Sequence, residues 1–183
     1  MSLHQDPELK SAVLNLSQKE KDKLLVRLIN KDKMLLKQLH YQLLENEDDL
    51  EDRIENLKKN LESLFQDTIR KVSNSPTFAN YKALNNILRQ ASGLINEHEK
   101  VTKDKFSTVE CRLFMLIYPY QNYPLLYEKS PIQAAGKLHK YITARIKTTF
   151  NNIGSLHEDL QFDLQEQTSL LEEIKERLDS TTF

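Results

Sequence analysis

Residues 130–179 read SPIQAAGKLHKYITARIKTTFNNIGSLHEDLQFDLQEQTSLLEEIKERLD, and their periodicity decides the fold class. Apolar side chains recur in one helical phase at Ala135, Leu138, Ile142, Ile146, Ile153, Leu156, Leu160, Leu164, Leu171, Ile174 and Leu178. The first half is basic, with Lys137, Lys140, Arg145 and Lys147 and no acid between Lys129 and Ser155. The second half is acidic, with Glu158, Asp159, Asp163, Glu166, Glu172, Glu173, Glu176 and Asp179. A helix dipole favours acids at the N-terminus and cations at the C-terminus. Local helix electrostatics therefore do not explain this layout. As one helix the stretch would span roughly 70 Å at 1.5 Å per residue. Its soft spot is Asn151-Asn152-Ile153-Gly154-Ser155, where Gly154 can end a helix and Ser155 with Glu158 can cap another. The apolar phase survives across that point, which predicts a continuous or kinked helix rather than a hairpin.

The remaining chain has the same character. Among 183 residues there are 3 glycines, 5 prolines and no tryptophan, too few turn residues for hairpins and sheets. Asp6-Pro7 opens a short helix, and Ser17-Gln18-Lys19-Glu20 matches a capping box. The helix it starts carries Leu24, Leu25, Leu28 and Ile29. After a break at Asn30-Lys31-Asp32 a second carries Leu35, Leu36, Leu39, Leu43 and Leu44. Together they predict a helical hairpin over 6–44. A long helix over 46–72 follows, with the stripe Leu50, Ile54, Leu57, Leu61, Leu64, Ile69 and Val72. Its acidic start, residues 45–55, reads as a capped and solvated first turn. Ser73-Asn74-Ser75-Pro76 predicts a stop and the cap of an antiparallel helix 76–99, with Tyr81, Leu84, Leu88, Ala91, Ile95 and His98 inward. Residues 105–118 are apolar nearly all round, which places that helix in the middle of the core, and Pro119 is expected to stop it. The expected architecture is all-α: one helical domain, 1–183, made of the N-terminal hairpin, an antiparallel bundle of long helices over 46–179 and a long C-terminal helix.

The formal net charge of −1 excludes a polybasic nucleic-acid binder as a description of the whole chain. The single cysteine, Cys111, allows no internal disulfide and fits a reducing compartment. No signal peptide and no apolar stretch of membrane-spanning length are visible, so a cytoplasmic protein is expected.

Signals for catalysis are weak. Three isolated glycines build no phosphate loop, and the five histidines, at 4, 40, 98, 139 and 157, lack metal-site spacing. Cys111 lies in an apolar helix with no adjacent base and reads as an inert thiol. No enzymatic activity, cofactor or metal is expected. Two features remain as candidate interaction surfaces. One is the acid-free basic stretch with Lys137, Lys140, Arg145 and Lys147 around Tyr141. The other is the loop holding Tyr120 and Tyr123, which reads either as an interface or as a lid over the bundle end, rings inward and hydroxyls in water.

Leu24-Leu25-Val26-Arg27-Leu28, Lys31-Asp32-Lys33, Leu39-His40-Tyr41-Gln42-Leu43-Leu44 and Leu156-His157-Glu158-Asp159-Leu160-Gln161-Phe162-Asp163 resemble a family of uncharacterised, wholly helical cytoplasmic proteins of Bacteroidetes. The resemblance implies an all-helical bacterial cytoplasmic protein and carries over no site residue, cofactor or activity. The expected function is therefore a helical scaffold or protein–protein interaction protein, self-associating as an antiparallel dimer through the C-terminal helix. The alternative is a nucleic-acid-associated accessory protein using residues 129–147. No membrane partner is expected.

Overall fold

The structure is a computed structural model that describes residues 3–69 and 71–181. Met1 and Ser2, and the side chain of the stripe position Ile69, lie outside that description. Every regular element among the described residues is helical. The chain divides into two compact units, Met1–Glu45 and Asn46–Phe183.

The first unit holds a 3-10 turn, Leu3–Gln5, and three helices, α1 (Pro7–Leu14), α2 (Gln18–Ile29) and α3 (Lys33–Leu44). Their starts follow from the sequence. Asp6 accepts from the Leu9 amide at 3.0 Å with Pro7 in the first turn. Ser17 and Glu20 close a reciprocal capping box. Asp32 accepts from the Met34 and Leu35 amides. None of these helices contains a buried residue. Leu25, Val26, Leu28 and Leu36 are at least half exposed, and Leu43 and Leu44 reach 74% and 73%.

The second unit is a bundle of five long helices: α4 (Glu47–Ile69), α5 (Phe78–Thr102), α6 (Lys105–Asn122), α7 (Gln133–Ile153) and α9 (Gln165–Thr181). A six-residue α8 (Glu158–Asp163) connects the last two. The acidic start of α4 is a cap. Asn46 accepts from the Asp48 and Asp49 amides while Asp49 accepts from the Asn46 amide. Leu57, Leu61, Phe65 and Thr68 are the buried positions of α4 among the described residues. Helix α5 begins two residues later than the Ser-Pro pair suggested: Thr77 is its cap, accepting from the Asn80 amide. It closes on Lys103, at φ 60°.

Helices α4, α6 and α9 form one layer and α5 and α7 a second, opposed to it, with α6 touching all four of the others. Paired side chains fix the directions. Lys58 meets Glu110 and Phe65 meets Phe114 and Tyr118, so α4 and α6 run alongside each other. His98 meets Ser107 and Ser92 meets Met115, so α5 opposes α6. The central position of α6 explains its lack of a polar face. Val109, Cys111, Leu113, Met115, Leu116 and Ile117 are all buried.

Two expectations about helix ends are corrected. Pro119 does not stop α6, which runs on to Asn122. Its ring forfeits one helical donor, but Pro119 and Tyr120 are buried and the Tyr123 amide caps back onto the Pro119 carbonyl at 2.8 Å. More consequentially, residues 131–179 are not one helix. Helix α7 ends at Ile153, the chain turns through Gly154–His157, and His157, not Ser155, caps α8 by accepting from Asp159. Helix α9 then folds back against α6 and α7, with Leu164, Leu171, Ile174 and Leu178 buried in the common core. Burial is the physical reason. A continuing helix would project these side chains past the end of the bundle, and each is worth about 1.5–3 kcal/mol when buried. Much of the apolar stripe is thereby taken up within the bundle's own core.

Candidate functional site

The seven side chains singled out from sequence part into two places. Lys137, Lys140, Tyr141, Arg145 and Lys147 share the outer side of α7, where Lys137, Lys140 and Lys147 are exposed and Tyr141 and Arg145 half-buried. The Tyr141 hydroxyl crosses to α5, 2.7 Å from the Ser92 hydroxyl, and donates more weakly to the Leu88 carbonyl at 3.4 Å. Its ring receives two guanidiniums, Arg89 from α5 at 4.6 Å and Arg145 from α7 at 5.4 Å from the centroid. Arg89 escaped the sequence reading because it lies on another helix. The signal that finds it is the one used for α7: residues 77–96 contain no Asp or Glu. Lys82, one heptad before Arg89 on the same exposed stripe, belongs to this face too.

The cations of the opposite layer behave differently. Lys58 pairs with Glu110, Lys59 with Glu55, Lys175 with Asp179 and Arg177 with Glu128. Among the described residues none of Lys137, Lys140, Arg145 and Lys147 has an acidic partner. The inverted charge of residues 130–179 thus resolves into a layer effect. The basic segment became α7 in one layer, and most of the acidic segment became α9 in the other.

Tyr120 and Tyr123 do not join that surface; both are buried. Tyr120 donates to Glu173 at 2.7 Å and accepts from Arg177 at 3.3 Å, and Arg177 reaches on to Glu128 at 2.9 Å. This relay fastens α9 to α6 and to the segment before α7. Burial, with the Glu173 bond next, pushes the Tyr120 hydroxyl above the usual phenol range against the opposing Arg177. Tyr123 and Tyr127 turn inward as a lid would. Their hydroxyls are buried as well, rather than in water, and have no hydrogen-bond partner among the described residues. Burial raises the pKa of both.

The remaining reactive groups are held in packing roles. Burial pushes the Cys111 thiol up to about 11, with Glu110 adding to it. His98 is buried with Nε2 2.9 Å from the Ser107 hydroxyl, and His139 places Nε2 2.7 Å from the Leu126 carbonyl, so that nitrogen is the donor. Burial lowers the pKa of both imidazoles. Among the described residues no three His, Cys, Asp or Glu side chains are grouped to hold a metal ion, and no helix is long and apolar enough to cross a membrane.

The fold and its surfaces define the chain as an all-α protein, a two-layer helical bundle preceded by a short-helix unit. No protein-family model, curated protein or solved structure matches it.

Proposed function

We propose that the chain is a non-enzymatic helical interaction protein of the cytoplasm that self-associates through its N-terminal unit. The observation that carries this reading is the contrast between the two units. The bundle has its own continuous core, whereas α1, α2 and α3 contain no buried residue and expose Leu25, Val26, Leu28 and Leu36. A unit of this size without a core needs a partner to be stable on its own account.

Charge selects a second copy as that partner. Lys19, Lys21, Lys23, Arg27, Lys31, Lys33 and Lys37 outnumber Glu20, Asp22 and Asp32, while Glu47, Asp48, Asp49, Glu51, Asp52 and Glu55 crowd the start of α4. A two-fold pairing sets the cationic helices of each copy beside the acidic segment of the other. Light scattering of the full chain across a concentration series tests it. A dimer that Leu25→Asp with Leu36→Asp converts to monomer is expected, and a strict monomer at every concentration refutes the reading.

A further inference from the structure

We propose that the outer face of the α5–α7 layer binds the phosphodiester backbone of a nucleic acid without reading its bases. This goes beyond self-association and stands on the other unit of the chain. Two neighbouring helices are free of acids over residues 77–96 and 130–157, in a protein whose formal net charge is −1. Their outer side gathers Lys82, Arg89, Lys137, Lys140, Arg145 and Lys147.

The centre of the face is built rather than incidental. Tyr141 is tied to Ser92 across the helix seam and holds both Arg89 and Arg145 against its ring. Two guanidiniums are thereby gathered at one ring, and among the described residues Arg145 has no acidic partner and its buried Nε no hydrogen-bond partner. A polyanion lying over this face would supply countercharge to both guanidiniums and accept from their outward N–H groups.

The chemistry favours a nucleic-acid backbone over a membrane surface. Among the described residues α7 exposes no large apolar side chain and α5 exposes two, Phe78 and Leu94, too few to form an apolar face that inserts between lipids. It also favours backbone over base. Tyr141 is half-buried and its ring already carries the two guanidiniums, so it offers no stacking platform. The contacts then resemble non-specific binding, dominated by released counterions.

The test is a fluorescence-anisotropy titration of the full chain with labelled mixed-sequence DNA and RNA, single-stranded and duplex. Affinity should be indifferent to sequence and, for four phosphate contacts on a duplex, should fall about 150-fold between about 50 and 200 mM salt. Lys137→Glu with Lys140→Glu and Lys147→Glu should lower affinity at least tenfold and shorten the salt slope by about 0.9 per lost contact. The milder Lys140→Gln with Lys147→Gln should act in the same direction, with the helical circular-dichroism signal of both variants unchanged. Lys19→Glu with Lys21→Glu and Lys23→Glu should leave binding intact, which separates this face from the self-association surface. Absence of binding at the lower salt overturns the proposal. So does a loss confined to the Lys19, Lys21 and Lys23 variant, or tighter binding to vesicles of phosphatidylglycerol and phosphatidylcholine than to nucleic acid.

Discussion

Replacing Ile174 by alanine separates a docked C-terminal helix from a projecting one. Ile174 is 0% exposed and lies in the core that α9 shares with α6 and α7. The substitution removes three carbons, each worth about 0.8 kcal/mol of transfer free energy, or about 2.4 kcal/mol together. The cavity left among Leu171, Leu178 and the α6 side chains adds to this, so a total of about 3–4 kcal/mol is expected. In urea, with a slope of about 2 kcal/mol per molar, the midpoint should fall by about 1.5–2 M with the slope unchanged. Circular dichroism at a helical wavelength reads the transition, and Glu172→Ala, on the exposed side of the same turn, serves as the control, within about 0.5 kcal/mol of the parent. If α7 and α9 were one straight helix, Ile174 would stand beyond the bundle and its loss would resemble the control. A midpoint shift under about 0.3 M would therefore refute the hairpin and the layer arrangement built on it.

Other consequences follow from the same packing. Because burial lowers the folded-state pKa of His98 and His139, their contribution to stability is fully present above the unfolded value near 6.5 and is lost as pH falls below it; each contributes a slope of at most about 1.4 kcal/mol per pH unit, and His98→Gln with His139→Gln should flatten the stability profile below pH ~6.5. With its thiol pushed up to about 11 and buried, Cys111 should resist a thiol-specific disulfide reagent at neutral pH and react only after denaturant is added; rapid reaction in the native protein would contradict its placement. Asp104→Ala removes the acceptor for the Ser107 amide at 2.9 Å and should cost α6 about 1 kcal/mol by urea titration. Gly154 sits at φ −62°, and an added Cβ would meet nothing nearer than the Phe150 carbonyl oxygen at 3.6 Å. Gly154→Ala should therefore be neutral or stabilising by up to about 1 kcal/mol, and a clear loss of stability would show that the turn depends on glycine after all.

Much of the structure was legible locally. The caps at Asp6 and Ser17, the break at Asn30-Lys31-Asp32, the acidic start of α4 and the all-round apolar α6 are properties of a few adjacent residues. Most of the candidate surface was legible for the same reason, since Lys137, Lys140, Tyr141, Arg145 and Lys147 share one helix. Arg89 and Lys82 were not, because they reach Tyr141 and its neighbours only through the packing of α5 on α7. Tyr120 and Tyr123 misled because an amphipathic ring serves a lid and an interface equally well, and only burial distinguishes the two.

The sequence by itself determined that the chain is helical, where most helices begin and which side of each is apolar, because periodicity and capping act within a turn or two. Tertiary structure decided what those apolar sides meet. The stripe from Ala135 to Leu178 keeps one phase, yet its first part is buried on α7 and its last on α9, after a reversal at Gly154–His157. Phase records that a side chain must leave water, and it carries no information about which neighbour will cover it. The reversal places the basic segment and most of the acidic one in opposite layers, turning an unfavourable order of charge along the chain into two faces of opposite character.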